Sequence, residues 1–137
     1  MDSYYDTAQN DYLYLEGVKE ILNNLRSYNP IAVTAQNIAE RYLKHIIQNY
    51  MLDKDYTQTL RSHKLMTLYQ AIHSRFEDFI LDDNMLRILT DYYFDARYPG
   101  ADYIMVTRED ALEAIRGVET IKYAVDTFIE KMQEKEC

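Results

Sequence analysis

Proton transfer near neutral pH and capture of a phosphate are the two chemistries within reach of this sequence's side chains. His45, His63 and His73 are its only imidazoles, and imidazole is the side chain whose ordinary pKa lies closest to 7. Arg97, followed by Tyr98, carries a guanidinium that can fork onto a phosphate, and Lys44 can add a point charge. Other chemistries lack parts. The histidines are scattered without His-x-x-x-His or Glu-x-x-His spacing, and the lone cysteine is Cys137, so neither a metal nor a cofactor is expected. Gly17, Gly100 and Gly117 lie too far apart for a glycine-rich phosphate loop. Nothing resembles a nucleophile elbow or an activated thiol, which argues against acyl transfer of the familiar kinds.

Each of these polar residues also has a plainer use. Glu40 precedes Lys44 by four positions, a spacing that predicts a solvated intrahelical ion pair. Arg41 and His45 repeat that spacing one residue later. His63, directly after Ser62, falls in the first turn of a helix. Arg97 falls at the carboxyl end of another, where a cation complements the helix dipole. The 14 tyrosines could stack on bases, but most sit at helical spacing and read as stripe fillers whose hydroxyls reach water. Tyr92 and Tyr93 point roughly 100° apart on a helix, so only one of them can face the core.

The elements that must position these groups are helical. Tyr14, Val18, Ile21, Leu22 and Leu25 trace one face of a first helix that ends before Asn29-Pro30. A second helix starts near Ile31 with Ala35, Ile38, Ala39, Tyr42 and Ile46 on its stripe and Asn37, Glu40, Arg41 and Lys44 opposite. Residues 53–62 break the pattern and read as a connection. Ser62 is placed to cap a short third helix presenting Leu65, Leu68, Tyr69 and Ile72. Asp82-Asp83-Asn84 opens a fourth, with the stripe Met85, Ile88, Leu89, Tyr92 and Ala96, and Pro99-Gly100 closes it. Thr107 with Asp110 caps a long last helix through Ala111, Ile115, Val118, Ile121, Val125 and Phe128. No strand alternation of useful length survives. The expected fold is all-α, an up-and-down bundle of four to five antiparallel helices forming a single domain over residues 1–137.

Composition narrows the partners. With 15 Lys+Arg against 23 Asp+Glu the formal net charge is −8, the wrong sign for a dedicated duplex-DNA binder. Gly 3 and Pro 2 give too few turns for an all-β sandwich. No apolar run approaches the roughly 20 residues needed to span a bilayer, and the acidic amino terminus lacks a signal pattern. Neither a membrane nor an oxidising compartment is expected, and the predicted location is cytoplasmic.

Three stretches carry a resemblance: Ala96-Arg97-Tyr98-Pro99 after a tyrosine-rich helix, His63-Lys64-Leu65 opening a short one, and Ala35-Gln36-Asn37-Ile38-Ala39-Glu40-Arg41-Tyr42-Leu43-Lys44. In this order and spacing, from about Tyr12 to Phe128, they resemble the HEPN family. The resemblance implies an all-α bundle, frequent homodimers, and partnership with a minimal nucleotidyltransferase in toxin–antitoxin-like modules. Many members cleave RNA without metal, using an Arg followed after four to six residues by His. Here no histidine follows Arg97, and Tyr103, five intervening residues on, is a phenol with an ordinary pKa near 10. The expectation is therefore an accessory domain that binds a nucleotide or RNA phosphate through Lys44, His63, Arg97 and Tyr98 without cleaving it. A divergent ribonuclease and a pure interaction or dimerisation module are the alternatives.

Overall fold

A computed structural model describes residues 3–136; Cys137 and the first two residues of the acidic amino terminus lie outside them. Six α-helices follow one another: α1 Tyr4–Glu20, α2 Asn29–Tyr50, α3 Thr57–Leu60, α4 Leu65–Arg75, α5 Asp83–Asp95 and α6 Arg108–Glu136. No strand occurs among the described residues. The all-α bundle expected from the sequence is what forms, with α3 a single turn inside the segment read as a connection.

Local chemistry fixes the helix starts. Ser3 Oγ accepts the Asp6 N–H at 3.1 Å while the Asp6 carboxylate accepts the Ser3 N–H, so α1 opens with a reciprocal cap. Thr107 and Asp110 make the same exchange at α6, with Asp in the place more often held by Glu. At α4 the cap position is Lys64 rather than Ser62. The Ser62 hydroxyl instead accepts the Lys64 N–H at 3.0 Å, and Thr90 Oγ1 accepts the Leu65 N–H at 3.1 Å. Pro30 sits in the first turn of α2, where its missing N–H costs nothing.

Helix α2 is the axis of the bundle, packed on α1, α4, α5 and α6. Ala32, Ala35 and Ala39 are fully buried and let neighbouring backbones approach. Side-chain contacts give the directions. Tyr5 reaches Asp126 and Lys19 reaches Glu119, while Tyr42 reaches Gln9, so α1 runs opposite to α6 and α2. Segment 51–64 carries the chain back along α2, so α4 runs in the same direction as α2, with His63 beside Glu40 and Arg75 beside Asp53. Adjacent pairs α4/α5 and α5/α6 alternate. A Cβ at Gly117 would stand only 3.2 Å from Leu89 Cδ1 and 3.3 Å from Met85 Cγ, which explains a glycine where α5 crosses α6.

Two stripes are rotated from the sequence reading. On α1 the buried face is Ala8, Leu15 and Val18, with Leu22 buried in the short 3₁₀ turn just after it; Val18 and Leu22 are inside as expected, while Tyr14 and Ile21 are exposed. On α5 Leu86 joins Leu89 and Tyr92 inside, while Ile88 faces out. Both helices are short or interrupted amphipaths in which two apolar faces compete, and packing against α2 chooses the one that buries more area.

Candidate functional site

The irregular segment between α5 and α6 carries Arg97 and Tyr98, and it is held by one buried amide. Asn29, at the start of α2, donates through Nδ2 to the Ala96 carbonyl (3.2 Å), the Ile104 carbonyl (2.8 Å) and the Tyr103 hydroxyl (2.9 Å). Its Oδ1 accepts the Val106 N–H at 2.8 Å. A side chain read only as a turn signal thus anchors both ends of the segment. Tyr103 contributes its hydroxyl to this anchor.

Across from that segment, α2 presents a buried carboxylate. Glu40 Oε2 accepts from Lys44 Nζ at 2.7 Å, and Glu40 Oε1 accepts from Gln36 Nε2 at 3.1 Å. His63 Nδ1 lies 3.0 Å from the same Oε1. The side chains of Glu40 and Lys44 are only 8% and 7% exposed. The solvated pair predicted from the spacing is therefore wrong. Glu40 and Lys44 lie on the inward side of α2, whose outer side carries the exposed Asn37, Gln48 and Asn49, so these two charges are buried and matched to each other.

His63 is the outward end of this chain, 44% exposed at its side chain. Its ring stacks on Tyr93 with centroids 4.2 Å apart and planes at 18°. The Arg97 guanidinium lies over the same Tyr93 ring at 4.4 Å and over Tyr98 at 5.3 Å. Tyr92 is buried and Tyr93 is not, which settles which of the pair serves the rim. Burial raises the Tyr92 hydroxyl to about 12, keeping it protonated.

The four sequence-predicted residues thus fall into one linked ledge in two tiers. His63, Arg97 and Tyr98 are exposed on a shared aromatic surface. Lys44 stands behind His63 with its ammonium spent on Glu40. A carboxylate can only accept at Nδ1, so that nitrogen is the donor and Nε2 is the ring nitrogen left for another partner. The positive end of the α4 dipole adjoins His63 and favours an anion at that place. The ledge is open. Surface hollows of about 810, 560 and 450 Å³ all lie elsewhere.

The other imidazoles are differently employed. His45 packs between Tyr5 and Tyr50, and burial lowers its pKa, so it stays neutral. Arg41, its i−4 neighbour, holds Asp11 at 2.6 Å. His73 Nδ1 lies 3.0 Å from the Phe79 carbonyl. No group of three His, Cys, Asp or Glu side chains able to hold a metal occurs among the described residues.

A protein-family model, HEPN domain, matches residues 13–128. This chain is a HEPN domain. The match covers α1 from Leu13 through most of α6, including the whole ledge. No curated protein and no solved structure matches the chain. No helix of this HEPN domain is long and apolar enough to cross a membrane among the described residues. Sequence reasoning about the site missed Gln36, Glu40, Tyr93 and Asn29. The i, i+4, i+8 run of Gln36, Glu40 and Lys44 beside Ala35, Ala39 and Leu43 was the available signal, since a stripe of small residues marks a helix with close neighbours.

Proposed function

We propose that this HEPN domain binds a phosphate of a nucleotide or RNA on the His63–Arg97–Tyr98 ledge and holds it without cleavage. In this reading it is an accessory to a minimal nucleotidyltransferase in a toxin–antitoxin-like module and self-associates as a two-fold dimer. The observation that supports it best is that the Arg97 guanidinium and the His63 imidazole both pack on the Tyr93 ring. Arg97 supplies a fork for phosphate oxygens, Nε2 of His63 supplies a hydrogen bond when protonated, and Tyr98 offers a face for a base. Isothermal titration with ATP and with a short single-stranded RNA tests it. Binding should weaken about tenfold or more in Arg97→Ala, and the salt dependence should flatten by about one phosphate contact. Equal affinity of wild type and Arg97→Ala would remove the proposal.

One observation favours RNA cleavage as a second reading. A buried carboxylate fixing Nδ1 of an exposed histidine is the arrangement of a general base. His63 Nε2 would take the proton of a ribose 2′-hydroxyl as that oxygen attacks phosphorus. The bond to the 5′ oxygen then breaks, water protonates the leaving oxygen, and Arg97 balances the charge on the phosphoryl oxygens. Metal-free cleavage of RNA to 2′,3′-cyclic phosphate and 5′-hydroxyl ends that is lost in both His63→Ala and Arg97→Ala would favour this reading over binding alone.

A further inference from the structure

Along the contact between α1 and α6 the paired residues run in opposite order. The Tyr5 hydroxyl donates to Asp126 at 2.7 Å, Lys122 Nζ stands 5.3 Å over the Tyr12 ring, and Lys19 Nζ donates to Glu119 Oε2 at 2.8 Å. Glu16 falls between Tyr12 and Lys19 on the same face of α1, at i+4 and i−3, and so lies against Glu119. Two carboxylates therefore share one ammonium. Ionised together they would leave a surplus negative charge in a half-buried contact, where like charges are poorly screened.

Glu16 Oε2 makes the conflict concrete. It is shielded from solvent and no donor reaches it. A buried acceptor without a donor costs free energy, and native structures leave few of them. A proton on Oε2 removes the difficulty, because the atom becomes a donor and Glu119 is the acceptor beside it. The surroundings agree. Burial and Glu119 raise the Glu16 pKa against the opposing pull of Lys19 and Tyr12. The Tyr12 hydroxyl, pushed up to about 12 by burial and by the same carboxylates, keeps its own proton. Arg116 acts on Lys19, and Asp126 and Lys122 act on Tyr12, while no group of α2 acts on Glu16.

We propose that Glu16 and Glu119 hold one proton between them, which makes the α1–α6 contact a proton-operated clasp that slackens as pH rises. On the alkaline side the proton passes from Glu16 to solvent base, the two carboxylates repel, and Lys19 is the remaining tie between Glu119 and α1. The sign follows from linkage. The closed contact holds a proton that the opened one has released, so closure weakens as pH climbs from the ordinary glutamate value of about 4.3 through the raised value of the closed form. None of these groups belongs to the ledge, so the clasp is independent of phosphate binding.

Carbon-detected NMR of the glutamate carboxyls in the full chain, titrated from about pH 3 to about pH 9, reads the proton directly. Glu16 and Glu119 should titrate as a coupled pair with one midpoint above about 4.3. Amide exchange reads the clasp. In wild type the protection factors of residues 16–19 should fall about tenfold from about pH 5 to about pH 8. In Glu16→Gln an amide N–H that cannot leave replaces the shared proton, and protection should hold steady. Glu119→Gln offers the same bond in the opposite sense and should behave likewise, so the test does not hang on one variant. His45 is present in all three proteins and cancels in the comparison. Ordinary titration of both carboxyls, as a water on Oε2 would give, would overturn the proposal. So would protection that falls as steeply in the two amide variants as in wild type.

Discussion

Replacing Glu40 by Gln tests the buried polar chain most directly. The change keeps shape and hydrogen-bonding capacity but leaves the Lys44 ammonium, 7% exposed, without its counter-charge at 2.7 Å. Removing one partner of a buried ion pair costs about 3–5 kcal/mol, because the remaining charge is neither solvated nor matched. For a domain of this size each kcal/mol lowers Tm by roughly 3–4 °C, so Glu40→Gln should melt about 10 °C or more below wild type. Lys44→Met is the milder cut. It leaves the Glu40 carboxylate with Gln36 Nε2 at 3.1 Å and His63 Nδ1 at 3.0 Å, and about 1–2 kcal/mol should be lost. Glu40→Gln/Lys44→Met together removes both charges, so the pair should be far less damaging than the sum, with a coupling of about 2 kcal/mol. Urea denaturation followed by circular dichroism at pH 7 reads all four free energies. Additive losses, or a Glu40→Gln variant within about 1 kcal/mol of wild type, would refute the view that this pair is desolvated and mutually dependent.

Three further outcomes are expected. Asn29→Leu should cost about 2–4 kcal/mol and speed amide exchange at Val106 and Ile104, since one side chain satisfies groups on both ends of segment 96–106; unchanged exchange would count against its anchoring role. His45 has its pKa lowered by burial, so the unfolded chain takes up the proton first as pH falls below about 6.5. Stability should therefore decline from pH 7 to pH 5, and His45→Gln should flatten that decline in urea titrations. Gly117→Val should lose about 1–3 kcal/mol in the same assay, because its branched side chain has Leu89 and Met85 already within 3.3 Å of the first carbon.

Periodicity made most of the architecture legible. The long stripe of α6 and its Thr107 cap read correctly because a 29-residue helix carries several repeats of one pattern and a strong start signal. The same logic succeeded only in part around α1, where Val18 and Leu22 are buried as expected but Tyr14 and Ile21 stay exposed and Leu15 is buried in their stead. Only docking on α2 decides between them. The site was legible in its parts but not in its connections. His63, Arg97 and Tyr98 drew notice by type and place, whereas Tyr93 was merely one of an adjacent pair. Glu40 was misread for a physical reason: spacing along a helix says nothing about how many neighbours surround it. Asn29 could not be found from local pattern at all, because every group it satisfies lies on a different part of the chain.

That last point bears on the order in which the molecule assembles. The carbonyl and amide partners of Asn29 lie 67, 75 and 77 positions along the chain. Joining groups so distant in sequence carries a loop-closure penalty that must be met before the bonds give any return. The stretch bearing Arg97 should accordingly gain its shape only after both halves of the polypeptide have come together, with kinetic φ-values near zero for Asn29 and its partners. A φ-value approaching one there would place this clasp in the folding nucleus instead. A late clasp also makes the proposed phosphate ledge an early casualty of thermal fraying, so any nucleotide affinity it has should fall on warming before the helix signal does.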